Sequence, residues 1–483
     1  MTTRPRKPDR RLLIATTIVA GVLSACDVPA VQFDTAALGQ RAYLKPLHIR
    51  PDDAFGHGVA MSADGSTLAV GATGDSSDNP GNPSSAGMLD SGAVHIFRRA
   101  ETTWIQEAYL KASRIVENAG LGYSVALSKD GSTLAVGAYN ESMAGCDEFS
   151  GAAYVFTRQN GTWNEQRRFG LGRCHNERFG ASVSLSDDGA TLAVGIPGGH
   201  WGPDATTDEP MEPGMVQLYL RGATGWSAPI TVAVPNRSAP TGDEFGRSVA
   251  LSGDGSILAV GAPSDASRAD HAGAVYVATR DAWTQLKRLD APNADAGDGF
   301  GATIALSRDG STLATSAYLE DGSGADPKDN SLDQSGAVYV FTRSGSSWNA
   351  SAYLKASNPD KLDYFGCSMA MSQDGRQLVV GADQEDSSST GVDQDASDDR
   401  GTNSGAAYVF ANDGGTYRQE AYLKASNTGN GEAFGNSVAM SADGSTVIVG
   451  AFREGGSATG VNPAVEAKDD KKEGAAYVFH RNP

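Results

Sequence analysis

Basic residues are in short supply in this 483-residue chain: 39 lysines and arginines stand against 58 aspartates and glutamates. That deficit argues against nucleic acid as a partner, because phosphate binding needs a basic face. There are only four cysteines, at positions 26, 146, 174 and 367, too few for a disulfide-dense scaffold. Aromatics make up 7% of the chain, and no long helical period runs through it. The seven histidines show no metal-ligand spacing such as H-E-x-x-H, and no segment fits the twelve-residue EF-hand loop. What the chain has in quantity is glycine, 59 residues, which suits many short strands joined by tight turns.

The N-terminus reads as a targeting segment. Arg4, Arg6, Lys7, Arg10 and Arg11 precede an apolar run from Leu12 to Leu23, too short to cross a bilayer comfortably. Leu23-Ser24-Ala25-Cys26 follows and resembles the lipobox of bacterial lipoproteins, in which the cysteine is lipidated and becomes the new N-terminus. The expected organisation is a signal peptide over 1–25, a lipidated tether over 26–40 and one domain over 41–483. Acyl chains on Cys26 would hold the protein to a membrane outside the cytoplasm. The choice between inner and outer membrane stays open.

The remainder is repetitive. FGHGVAMSADGSTLAVGA begins at Phe55 and returns as FGNSVAMSADGSTVIVGA at Phe434, with variants from Leu121, Phe179, Phe245, Phe300 and Phe365. Seven copies thus recur about every 63 residues, in the range of propeller blades. Each copy splits into four strands, A to D. An Asp-Gly pair joins A to B, from Asp64-Gly65 to Asp443-Gly444, the chemistry a tight hairpin wants. Strand B reads STLAVGA, strand C resembles GAVYVF, and strand D resembles AYLKAS. The last copy ends after strand C, while an unattached strand D, Ala42–Leu47, precedes the first. The expected fold is therefore all-β: a seven-bladed β-propeller of four-stranded blades, closed by an N-terminal strand that completes blade 7. Closure removes the exposed sheet edges of an open stack.

Phe-Gly at the start of A, Gly-Ala at the end of B and Gly-Ala opening C recur in register over about 440 residues. In these features the chain resembles the FG-GAP repeat family, the repeat of integrin α-chain propellers, and most of all its bacterial lipoprotein type. The resemblance implies a propeller that binds or adheres. One departure matters: the A–B turn, where the family often carries a D-x-D-x-D-G-like calcium loop, is cut here to forms such as Ser-Ala-Asp-Gly-Ser. One carboxylate cannot supply the six to eight oxygens that calcium takes.

Strand alternation puts the short A–B and C–D turns on one face. The other face carries the D-to-A connections and the long B–C loops, at 73–91, 139–150, 197–213, 263–272, 318–335, 383–404 and 452–473. Rigidly held loops are where binding residues tend to sit. These loops are acidic. Asp75 and Asp78 in blade 1, and Asp393, Asp395, Asp398 and Asp399 in blade 6, are the candidate ligands for calcium, the one cofactor suggested. Cys146 and Cys174 fall on the same face, and outside the cytoplasm they are expected to form a disulfide. Gly366-Cys367-Ser368-Met369-Ala370 resembles the G-x-S-x-G elbow of hydrolases. The same serine recurs in Gly246–Ala250 and Gly435–Ala439, so it reads as scaffold. With no catalytic constellation, the expected function is a monomeric binding or adhesion module for a protein or glycan ligand on the B–C face. The alternatives are a passive envelope component and a lyase-type carbohydrate-active enzyme.

Overall fold

The structure, a computed structural model, describes residues 37–481 apart from 144, 146–148, 174, 199–213, 235–241, 325, 465–467 and 469–470. Seven antiparallel sheets follow one another, each built in the order A-B-C-D. Blade 1 comprises Phe55–Met61, Thr67–Ala72, Ala93–Ala100 and Thr103–Leu110. In blade 7, Phe434–Met440, Thr446–Ala451 and Ala475–Arg481 are completed by Leu38–Leu44 as strand D. The closing strand thus begins four residues earlier than the sequence pattern marks it. It pairs from Leu38 opposite Arg481 to Leu44 opposite Ala476.

Strand B explains the layering. TLAVGA is buried at all six residues in blades 1 and 2, because both faces of the sheet meet neighbouring blades. In five copies the opening Phe packs edge-on against an aromatic ring of strand C, as Phe365 does on Tyr408 (5.4 Å) and Phe300 on Tyr339 (5.4 Å). Offset and edge contacts of this kind suit the ring quadrupoles.

Strands A of successive blades touch around a complete circle and form its inner wall. Each strand-A hydroxyl donates to the Phe-Gly glycine carbonyl of the next blade: Ser124 to Gly180 (2.9 Å), Ser368 to Gly435 (2.6 Å) and Ser437 to Gly56 (2.7 Å). The elbow-like serine therefore joins blades. The glycine opening strand C is required by close approach. Gly92 has φ +77°, and a Cβ there would stand 2.2 Å from the amide of Leu121 in the next blade.

The A–B turns make a second circle. The amide of Ala63 donates to the carbonyl of Lys129, Lys129 to Asp187, Asp187 to Gly253 and Gly253 to Arg308. Arg308 then donates to Gln373, Gln373 to Ala442, and Ala442 back to Ala63, at 2.7–3.0 Å. Within each turn the aspartate is occupied locally. Asp188 accepts from Ser186 Oγ (2.6 Å) and from the Ala190 amide (2.9 Å). The serine bond foremost, aided by that amide, holds its carboxyl below the usual range despite partial burial.

Candidate functional site: the B–C face

Three residues beyond strand B, six of the seven copies carry an acid: Asp75, Glu141, Asp265, Glu320, Glu385 and Glu454. All six are buried. In blade 6, Glu385 accepts from Lys424 Nζ (2.7 Å) and from Tyr422 OH (2.6 Å) on strand D. In blade 5, Glu320 meets Lys355 (3.0 Å) and Tyr353 (2.7 Å) in the same way. In blade 1, Asp75 meets Lys111 (3.0 Å) and Tyr109 (2.9 Å). In blades 2 and 4 the acid is met instead by Arg168 and Arg288, which stand at the tyrosine position of strand D. Burial pulls Lys111, Lys355 and Lys424 below the ordinary lysine value, and the facing carboxylates only partly offset it. The arrangement pins the roots of these B–C loops to strand D. The signal was in the sequence as a recurring acid paired with the Lys of AYLK, but it was counted there only as loop acidity.

The calcium candidates are dispersed by this arrangement. Asp75 belongs to the buried pair just described, and Asp78 is exposed farther along its loop. Asp393 accepts from the Tyr422 amide (2.8 Å), and Asp395 from Ser397 Oγ (2.6 Å). Asp398 holds Arg400 (2.5 Å) and Ser388. Asp399 stands apart from these. It lines a cavity of about 260 Å³ with Asp360, Asp363, Glu385 and Asp386. Burial first, then the Glu385, Asp360 and Asp386 charges, pushes Asp363 up to about 7. Among the described residues no group of three or more His, Cys, Asp or Glu side chains is set to hold a metal ion. Cys26, Cys146 and Cys174 lie outside the described residues. Cys367 is a free thiol, half-buried, and burial pushes it well above its ordinary value.

Around the axis of this face the copies diverge. The residue after Phe-Gly is His57, Tyr123, Ala181, Arg247, Ala302, Cys367 and Asn436 in turn. Every other strong feature of strand A is shared scaffold, so this is where the blades are chemically distinct. The ring of His57 lies 4.9 Å from that of Tyr123 and 5.3 Å from Phe452 of blade 7. Tyr123 lies 3.9 Å from Tyr139. Arg247 of blade 4 hydrogen-bonds Tyr123 of blade 2, reaching past blade 3, and interacts with Glu244 and Tyr318. Burial pushes His57 down to about 4, so it is neutral at pH 7. A cavity of about 480 Å³ opens beside this collar, lined by His57, Tyr123, Tyr139, Asp52, Asp90 and Asn118 among others. Sequence reading placed function on the loops of this face and passed over the collar. The one variable position in an otherwise uniform strand was its signal.

A profile of the FG-GAP repeat matches residues 104–156, 238–278, 283–341, 348–410 and 417–479. No curated protein sequence matches the chain. Among solved structures, hydrazine synthase of Kuenenia stuttgartiensis is similar, with a TM-score of 0.50 and 15% identity. The similarity covers 87% of this chain and 98% of that one. At that identity the likeness shows the fold alone.

Proposed function

Because this chain belongs to the FG-GAP repeat family, whose propellers fit a binding or adhesion role, we propose that it is a binding module whose ligand seats on the B–C face. The observation that carries the reading is the collar. The shared features of each blade go into scaffold, and the divergent position brings His57 and Tyr123 to a cavity of about 480 Å³, with Arg247 interacting with Tyr123. Aromatic faces flanked by an arginine and a neutral histidine suit a ligand with a flat apolar side and hydrogen-bonding groups, a protein loop or a glycan. The lipobox-like Leu23–Cys26 supports a lipid anchor on Cys26 and a place outside the cytoplasm. The module is read as non-catalytic, since its recurring serine is bonded to a neighbouring carbonyl.

Glycan arrays and pull-downs with the mature domain test this, with Tyr123→Ala and Arg247→Ala as collar variants. Retention of a partner by the native domain and its loss from both folded variants is expected. A partner held equally by both variants would place recognition elsewhere. Metabolic labelling with palmitate, abolished by Cys26→Ser, is the expected result for the anchor.

A further inference from the structure

On the opposite face, formed by the A–B and C–D turns, the junction between blades 2 and 3 lacks a link that joins blades 1 and 2 and blades 6 and 7. In blades 1 and 6 strand D carries a β-bulge whose extra residue leaves the ladder and reaches the next blade, as bulges commonly re-aim a side chain. In blade 1 that residue is Glu107, between Gln106 and Ala108. It accepts from Arg158 Nη2 (2.6 Å) and Trp163 Nε1 (3.1 Å), both of blade 2. In blade 6 it is Glu420, which holds Arg481 of blade 7 by two bonds (2.5 and 2.7 Å).

At the junction of blades 2 and 3 the equivalent bulge residue is Gln166. The arginine and tryptophan it should hold are both present: Arg221 matches Arg158 in register on strand C, and Trp226 matches Trp163 across from it. Gln166 bonds neither; its amide turns to the Asn164 carbonyl (3.4 Å). A second change adds charge. Where blade 1 has Ala108, blade 2 has Arg167. Strand D of blade 3 is then broken between Gly225–Trp226 and Ile230–Val232. Trp226 comes out half-exposed, while Trp104 and Trp163 are buried.

These changes open a cleft of about 510 Å³, lined by Arg158, Arg167, Arg221, Gln166, Thr157 and Trp226 among others. Among the described residues no aspartate or glutamate lines it, in a chain of formal net charge −19. Neither Arg167 nor Arg221 has a carboxylate partner among the described residues. Arg167 bonds the Trp226 carbonyl (3.0 Å), and the Arg221 guanidinium lies 6.0 Å from the Trp226 ring. Thr157, 8% exposed, has a buried hydroxyl without a hydrogen-bond partner, and the Arg158 Nε–H likewise has none.

We propose that this cleft is a binding site for an acidic saccharide, a chain of sugars bearing carboxylate or sulfate groups. Arginine forks match such oxyanions in geometry and charge. The Trp226 ring offers a flat apolar surface to a sugar face, and Thr157 an unused hydroxyl. The cleft is open, which suits a segment of polymer. It lies on the face away from the collar, so it stands or falls independently of the reading given above.

Calorimetry on the full chain at low and physiological salt tests it, using hexagalacturonate, a heparin-derived hexasaccharide, neutral maltohexaose, hexaglutamate and inorganic sulfate. Binding of an acidic hexasaccharide, weakened by salt, and no binding of maltohexaose are expected. Arg221→Gln and Arg167→Gln should each weaken it on the order of 10- to 100-fold, the loss of one charge-assisted contact. Gln166→Glu, which places there the acid found at the 1–2 and 6–7 junctions, should abolish it while leaving the melting temperature intact. Tyr123→Ala, on the far face, should leave it unchanged. No binding of either acidic saccharide, unchanged binding in Arg221→Gln and Gln166→Glu, or equal affinity for hexaglutamate or free sulfate would each overturn the proposal.

Discussion

Replacing Lys45 by methionine tests how the ring is fastened. Lys45 follows the closing strand, and its ammonium lies 2.6 Å from Glu454 and 2.8 Å from the Gly474 carbonyl. Both side chains are essentially inaccessible, at 0% and 1%. Methionine fills similar volume but leaves the buried Glu454 charge with Tyr43 (2.9 Å) and Asn427 (3.0 Å) as close donors and Lys468 farther off, at 3.9 Å. Removing one partner of a buried pair costs about 3–5 kcal/mol, whereas removing both in favour of apolar groups is often neutral. At about 2.1 cal/mol/K per residue, a ring of roughly 450 residues melting as one unit loses about 1 °C per kcal/mol. Lys45→Met should therefore lower the calorimetric melting temperature by about 3–5 °C, and Lys45→Met/Glu454→Met should recover most of that. Light scattering should show the single variant self-associating on warming, as strand C of blade 7 becomes an unpaired edge. A single variant melting with the native protein, or a double variant less stable than the single one, would refute the reasoning.

Other perturbations give equally definite outcomes. Asp53, Asp298, Asp363 and Glu432 are each pushed up to about 7, by burial first. A raised carboxyl binds more protons folded than unfolded between about pH 4 and 7, so its stabilisation is full below that window and is lost as pH rises through it. Asp363→Asn should match the native melting temperature at pH 4 and exceed it at pH 8; a deficit at pH 8 would contradict the burial argument. Gln373→Pro removes the amide that donates to Ala442 and should lower the melting temperature more than Gln373→Ala, which leaves that amide in place. A thiol titration of the exported, denatured protein should find one reactive cysteine, Cys367, if Cys146 and Cys174 are paired; three would refute the disulfide.

The fold was legible because its causes are local and repeated. Asp-Gly specifies each A–B hairpin, and the spare strand at one end matches the missing strand at the other. Function was less legible because it depends on what faces what across blades. Glu107 and Gln166 look alike as polar residues in strand D. Only the bulge that aims them at Arg158 and Arg221 makes their difference a difference in charge. The loop acids misled in the opposite direction. Asp75 read as a loop ligand, yet Lys111 and Tyr109 from strand D already occupy it.

The circle of amides linking the A–B turns has a sense of travel, each peptide giving to the blade ahead and receiving from the one behind. A circuit of this kind has no first or last member. A blade duplicated in frame brings one donor and one acceptor, and so leaves no group unsatisfied at the seam. The side chains at these stations, from Ala63 and Lys129 to Asp187, Gly253 and Arg308, play no part in the circuit and vary without common character. The scaffold can thus change its copy number, and rewrite the seven stations one at a time, without redesigning how neighbours join.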